Sequence, residues 1–223
     1  MKSLIIIIIA LMTVSLTNAR KHPDAALYGK KINVLGDSYV YNHKEPKENT
    51  WHARIAEKYK MVYRNYGKNG NGIVTPKASG EPLVTRYKVM DKDADYIVVV
   101  GGKNDYNKQI SIDEFKDGLR SLCRHLTEEY ADAKICFFTP WRIYPDASKD
   151  PKPIKLMDYV DAMIEVCGEY AIPIFDSSRK SDVRMYSPVF RNKYCQTPTD
   201  VSHLNARGHL FFMNKAERFL LSL

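Results

Sequence analysis

The five residues Tyr96–Val100, YIVVV, are apolar at every position. Successive side chains of a strand point to opposite faces, so a run without alternation has to be covered on both sides. The arrangement that does this is a parallel sheet held between two layers of helices. Four more short apolar runs, residues 32–35, 61–65, 135–139 and 172–176, are spaced so that helical patterns fill the gaps. From Ser111 the chain reads SIDEFKDGLRSLCRHLTEEY, with Ser111 and Glu114 at capping-box spacing and Ile112, Phe115, Leu119, Leu122, Cys123 and Leu126 on one stripe. Ile154, Met157, Val160, Met163, Ile164 and Cys167 form a second stripe, and Leu210, Met213, Phe219 and Leu220 a third, over 206–221. Strands alternating with helices predict a three-layer α/β/α sandwich on a five-stranded, mainly parallel sheet.

Ahead of this pattern stands MKSLIIIIIALMTVSLTNA, residues 1–19: one early cation at Lys2, an apolar run and a small-residue ending. That is the form of a secretory signal peptide cut near Ala19, and it predicts an exported protein, periplasmic or extracellular. The apolar run is shorter than the ~20 residues of a spanning helix, which argues against a retained membrane anchor. Residues 20–223 then read as one domain, and a hydrophobic fraction of 44% is ample for its core. The net charge of +8 is scattered rather than gathered into a basic stripe, so no nucleic-acid partner is expected. The four cysteines show no CxxC spacing, and no metal site is expected. Cys123, Cys136 and Cys167 lie in apolar patterns and read as core; export permits a disulfide, but the sequence does not choose a pairing with Cys195.

In open parallel sheets ligands bind beyond the carboxyl ends of the strands, and four polar or Gly-rich clusters fall there. They are Gly36-Asp37-Ser38, the stretch NYGKNGNG (65–72), the stretch GGKNDYN (101–107), and TDVSHLNARGH (199–209) before the last helix. Each has an ordinary explanation: Ser38 as a helix cap, Gly70 and Gly72 as turn residues with positive φ, Asn104 as a turn residue. A phosphate loop is excluded by its own motif, since Lys68 precedes Asn69 where Ser or Thr is required.

Taken together and in order, the clusters resemble the SGNH hydrolases, also called the GDSL esterase family. The matching residues are Gly36-Asp37-Ser38; Asn65, Gly67 and Gly70; Gly102, Asn104 and Asp105; and Asp200 with His203. The first block reads GDSY instead of GDSL, which alters the residue after Ser38. The segment 73–92 is longer than a minimal connection and has no role in the motif. The resemblance implies a flavodoxin-like sheet and a cofactor-free serine hydrolase. Ser38 would be the nucleophile, His203 the general base and Asp200 its orienting acid; the oxyanion donors would be the backbone N–H groups of Ser38 and Gly70 and the Asn104 amide.

The residues agree with these roles. A serine hydroxyl needs a neighbouring base, and the chain has six histidines. His22 lies near the start, and His43, His52 and His125, within or beside amphipathic segments, read as surface residues. Of His203 and His209, only His203 has a carboxylate three residues earlier, the spacing of one helical turn. Asp37 reads as a shaper of the turn. For substrate, Tyr39, Trp141 and Arg142 are candidate contacts, the aromatics as platforms for sugar rings. The segment 139–153, TPWRIYPDASKDPKP, is polar, Pro-rich and basic, unlike the apolar groove of a lipase. These features predict a small acyl group, acetyl above all, on a carbohydrate or other polar alcohol. A lysophospholipase or thioesterase of the same fold is the alternative, and a non-catalytic sugar-binding protein a third.

Overall fold

The computed structural model describes residues 26–77 and 80–223; the signal-peptide reading falls outside them. Five strands, β1 (Lys31–Gly36), β2 (Val62–Gly67), β3 (Tyr96–Val100), β4 (Lys134–Phe138) and β5 (Ile174–Phe175), form one sheet in the order β2-β1-β3-β4-β5. Every pairing is parallel. The described residues also form nine helices: α1 (Ser38–Tyr41), α2 (Trp51–Lys58), α3 (Leu83–Arg86), α4 (Lys103–Lys108), α5 (Ile112–Glu129), α6 (Leu156–Glu169), α7 (Ser177–Lys180), α8 (Pro188–Tyr194) and α9 (Ala206–Leu221).

The all-apolar run at the centre behaves as its pattern requires. Tyr96, Val98 and Val100 face a core completed by Trp51 and Ile55 of α2, Phe190 of α8 and Phe212, Ala216 and Leu220 of α9. Ile97 and Val99 face the opposite core, with Leu83 of α3, Phe115, Leu119 and Leu122 of α5, and Tyr159 and Met163 of α6. Two cores separated by one sheet make the three-layer sandwich. All four cysteines are free and buried.

Local chemistry sets the element ends. Ser111 caps α5 by accepting from the Glu114 N–H at 3.2 Å. Met61 donates to the Ala56 carbonyl at the end of α2, so β2 begins one residue later than its apolar run. In the last strand, Pro173 has no N–H for the ladder, and Asp176 leaves it to cap α7, so the expected five residues shrink to two. In α6 the helix starts at Leu156, past Ile154, where the Asp158 carboxylate accepts from the Lys155 N–H at 2.8 Å.

Two expectations are corrected. The inward stripe of α9 is His209, Phe212, Ala216 and Leu220, whereas Leu210 is 49% exposed. The helix turns to bury a histidine because that ring is fully engaged: its Nδ1 accepts from the Trp51 N–H at 3.3 Å and its Nε2 lies 3.1 Å from Asn42 Oδ1. Likewise His52 is not on the surface. It is fully buried, with Nδ1 3.0 Å from Thr50 Oγ1 and 2.8 Å from the Tyr63 hydroxyl.

Among the described residues, no helix is long and apolar enough to cross a membrane, and no group of three His, Cys, Asp or Glu side chains could hold a metal ion.

Candidate active site

The chain leaves β1 for β2 on one side and returns to β3 on the other, so the strand order reverses between β1 and β3. In open parallel sheets this is the point, beyond the carboxyl ends of the strands, at which a ligand crevice lies. β1 ends at Gly36, and α1 begins two residues later at Ser38, with Asp37 as its N-cap; the Asp37 carboxylate accepts from the Tyr39 N–H at 2.9 Å. α4 opens at Lys103 behind Gly102 and carries Asn104 in its first turn.

The NxGxxG segment ties β2 to α1. The Asn65 amide donates to the Val40 carbonyl and to the Tyr63 hydroxyl, both at 2.8 Å, while its Oδ1 accepts from the Gly67 N–H at 2.8 Å. Gly67 has to lack a side chain, because a Cβ there would stand 2.4 Å from the Tyr41 nitrogen. Gly70, at φ 81°, makes the left-handed turn that brings the loop back over the crevice.

His203 arrives from the far end of the chain, in the loop between α8 and α9. Its carbonyl accepts from the Gln196 N–H at 3.0 Å, and Cys195 and Leu204 form a β-bridge on either side. The three-residue spacing from Asp200 works through an Asx turn and not a helix: Asp200 Oδ1 accepts from the N–H groups of Ser202 (2.8 Å) and His203 (2.9 Å). That leaves Oδ2 to meet His203 Nδ1 at 2.9 Å, and His203 Nε2 lies 2.9 Å from Ser38 Oγ. Because a carboxylate only accepts, Nδ1 carries the imidazole proton and Nε2 offers its lone pair to the serine hydroxyl. Burial would raise the Asp200 carboxyl, but the hydrogen bonds from His203 and Ser202 outweigh it and hold the group below its ordinary value.

Beside this line, Asn104 Nδ2 donates to Asp37 Oδ2 at 3.1 Å and to the Asn71 carbonyl at 2.9 Å. Ser38, Gly70 and Asn104 are all half-buried, open to the crevice. Asp37 is fully enclosed, and desolvation pushes its carboxyl up to about 6. Arg86, in the segment 73–92 that sequence reasoning left without a role, is buried beneath. It donates to the Gly36 carbonyl at 2.7 Å and to the Tyr66 carbonyl, and so clamps the strand ends from which the Ser38 loop and the glycine loop depart.

Of the expected substrate contacts, the structure removes two from the surface. Tyr39 and Trp141 are 5% and 3% exposed; their rings pack against each other at 5.7 Å, and Trp141 also meets Phe212 at 4.8 Å. With their faces spent on the core, they offer no platform to a sugar. Arg142 is half-buried, its guanidinium held by the carbonyls of Tyr144 and Pro145. A cleft that includes Val201, next to Asp200, is lined mainly by apolar and aromatic side chains, Ile143, Tyr144, Pro145, Met185 and Tyr186, with Lys149 and Arg191 as its charged residues. Sequence reasoning also missed His43, half-buried with its ring stacked on His203 at 4.2 Å and 11°.

Residues 34–210 match the family model of the GDSL-like lipases and acylhydrolases. No curated protein sequence matches the chain. Among solved structures, a protein from Lactobacillus plantarum is 22% identical with a TM-score of 0.75, over 87% of this chain and 98% of that one. A lipolytic protein of the G-D-S-L family from Desulfitobacterium hafniense DCB-2 is 13% identical, TM-score 0.64, over 85% and 99%. An acetylxylan esterase from Geobacillus stearothermophilus is 18% identical, TM-score 0.64, over 86% and 94%. At these identities the likeness is one of fold.

Proposed function

The chain belongs to the GDSL-like lipase/acylhydrolase family, and from that premise we propose that it is an exported serine esterase that removes small acyl groups, acetyl above all, from carbohydrate alcohols. The observation that carries the reading is the unbroken line from Asp200 through His203 to Ser38, with both hydrogen bonds at 2.9 Å.

In this reading Ser38 Oγ attacks the ester carbonyl as its proton passes to His203 Nε2. Asp200 fixes the tautomer and stabilises the imidazolium. The negative charge that develops on the carbonyl oxygen meets the N–H groups of Ser38 and Gly70 and the Asn104 amide, which shares or exchanges one of its present acceptors to do so. The tetrahedral species collapses, His203 returns the proton to the leaving alcohol, and an acyl-Ser38 intermediate remains. A water molecule then gives a proton to His203 as it attacks the acyl carbon, and the second tetrahedral species collapses as His203 passes that proton to Ser38 Oγ, releasing the acid and restoring free Ser38 and neutral His203. Only neutral His203 can begin the cycle, because only its unprotonated Nε2 can accept the proton of Ser38.

The substrate reading rests on the exposed polar loop at residues 145–149; the cleft near Asp200 carries Lys149 and Arg191 but is otherwise lined by apolar and aromatic side chains and suits either reading. An apolar acyl groove would favour the alternative, a lysophospholipase or thioesterase. A fold shared with an acetylxylan esterase accords with the carbohydrate reading.

The test is a p-nitrophenyl ester series from acetyl to octanoyl, run alongside acetylated xylan, pectin and sialic acid, with Ser38→Ala as control. The expected result is a higher kcat/KM for acetyl than for octanoyl, acetate release from at least one acetylated saccharide, and a loss of about 10⁴-fold in the folded Ser38→Ala protein. A pocket built for eight carbons would bury six further methylenes at about 0.8 kcal/mol each, so kcat/KM climbing steadily to octanoyl would transfer the reading to the long-chain alternative. Near-wild-type turnover by Ser38→Ala would sink the mechanism, and saccharide binding without any turnover would leave the non-catalytic protein.

A further inference from the structure

The stack of one histidine on the other has no place in the acyl-transfer chemistry described above. The His43 and His203 rings lie 4.2 Å apart and 11° from parallel. His43 adopts φ 50° directly after Asn42 at φ 74°, two consecutive non-glycine residues in the left-handed region. Such a backbone persists only where its surroundings hold it, and here they do. The Gln196 side chain donates to the Asn42 carbonyl at 3.0 Å and lies 3.3 Å from its Oδ1; His209 Nε2 lies 3.1 Å from the same Oδ1; and the Asn42 amide donates to the Pro46 carbonyl. Asn69, in the glycine loop, donates to the His43 carbonyl at 3.4 Å. Gln196 also donates its backbone N–H to the His203 carbonyl. Gln196 therefore ties the residue before His43 to His203.

We infer that His43 is a positioning residue for the general base: its ring, face to face with His203, keeps Nε2 aimed at Ser38. This rests on the acyl-transfer reading. The hydrogen bonds at Nδ1 and Nε2 fix the two ends of the His203 ring but leave rotation about the axis joining them resisted only by packing. Tyr39 meets that ring edge-on at 6.1 Å, and His43 covers a face. A neutral aromatic face also tolerates the imidazolium that forms during the reaction, whereas a second cation at this distance would oppose it. The charged and titratable groups around His43 are His203, Asp200, Lys44 and Lys77. Burial, His203 and the two lysines push its imidazole below its ordinary value, Asp200 alone opposing.

The experiment is steady-state kinetics on p-nitrophenyl acetate across pH for wild type, His43→Ala, His43→Phe and His43→Lys, each checked for folding by thermal unfolding. His43→Ala should lower kcat about tenfold or more with KM nearly unchanged, because a misaimed base costs rate and not binding. His43→Phe keeps a flat ring and should stay within about threefold of wild type in kcat. His43→Lys should lower the plateau and move the acid limb of kcat/KM to lower pH, since a fixed cation makes His203 harder to protonate. A His43→Ala kcat within twofold of wild type, a folded His43→Phe as impaired as His43→Ala, or an unmoved acid limb in His43→Lys overturns the inference. If wild type fails to hydrolyse the ester, or Ser38→Ala still does, the acyl-transfer reading has failed and takes this inference with it; when those controls behave, the His43 variants judge it alone.

Discussion

Asn104 carries two amide hydrogens, and both already have acceptors, Asp37 Oδ2 and the Asn71 carbonyl. To serve an oxyanion, the amide must share or exchange the weaker of these bonds, the 3.1 Å contact with Asp37. Asp37 is thus more than a turn residue: one carboxylate oxygen caps α1 and the other orients the Asn104 donor. Asn104→Ala should lower kcat by roughly 10²-fold to 10³-fold with a smaller effect on KM, the usual loss for one oxyanion donor. A change confined to KM in that variant would make Asn104 a binding residue. That Ser38, His203 and Asp200 come together, with Asn104 beside them, was legible in the sequence because all four sit in motif blocks that follow strands or precede the last helix. Arg86 and His43 were not. Arg86 acts on backbone carbonyls of β1 and β2, and His43 on a ring 160 positions further along the chain, so neither leaves a local pattern.

The helix that presents Asn104 also anchors the loop that presents Gly70. Asp105, the next residue of α4, is fully buried, and its carboxylate accepts from the N–H groups of Ile73 (2.8 Å), Val74 (3.1 Å) and Thr75 (3.1 Å) and from the Thr75 hydroxyl (2.9 Å). The Asn-Asp pair of the motif therefore joins two tasks in one turn, a donor for the site and a clamp for the neighbouring loop. Asp105→Ala would strand three N–H groups at about 1–3 kcal/mol each, so a loss of at least about 3 kcal/mol is expected. For a chain of this size that lowers Tm by roughly 6–12 °C, measurable by calorimetry. An unchanged Tm would mean that the loop holds itself. At this scale the sequence was most readable. Short apolar runs located all five strands and period-3.6 stripes the three long helices, and α9 spans the expected residues. The short helices α3, α7 and α8 escaped notice because one or two turns do not establish a period. The face of α9 was misjudged because His209 counts as polar until its partners are known.

Across the whole molecule, buried titratable groups set how folding responds to acid. Burial pushes the imidazoles of His52 and His209 from 6.5 down to about 3, and raises the Asp37 carboxyl from 3.8 to about 6. The two histidines favour the folded state fully above pH 6.5, and their contribution is lost as pH falls toward 3, because the unfolded chain takes up two protons that the folded chain refuses. Asp37 acts oppositely: its contribution is fully present below 3.8 and lost as pH rises through 6. Two protons outweigh one. Between pH 6 and pH 4 the net difference is about one proton, so stability should fall by about 1.4 kcal/mol per pH unit. Counting the step from 6.5 to 6, where only the histidines act, the loss between pH 7 and pH 4 comes to roughly 4 kcal/mol, a large part of the 5–15 kcal/mol typical of a folded domain. Denaturant unfolding at pH 7, 5.5 and 4 measures this slope directly. His209→Gln should be less stable at pH 7, since it disturbs the bonds to Trp51 and Asn42, yet it should lose stability more slowly on acidification, because only His52 then opposes Asp37 and the two nearly cancel. Equal slopes in the wild type and His209→Gln would show that His209 takes up its proton without unfolding, and the acid sensitivity would have to arise elsewhere in the fold.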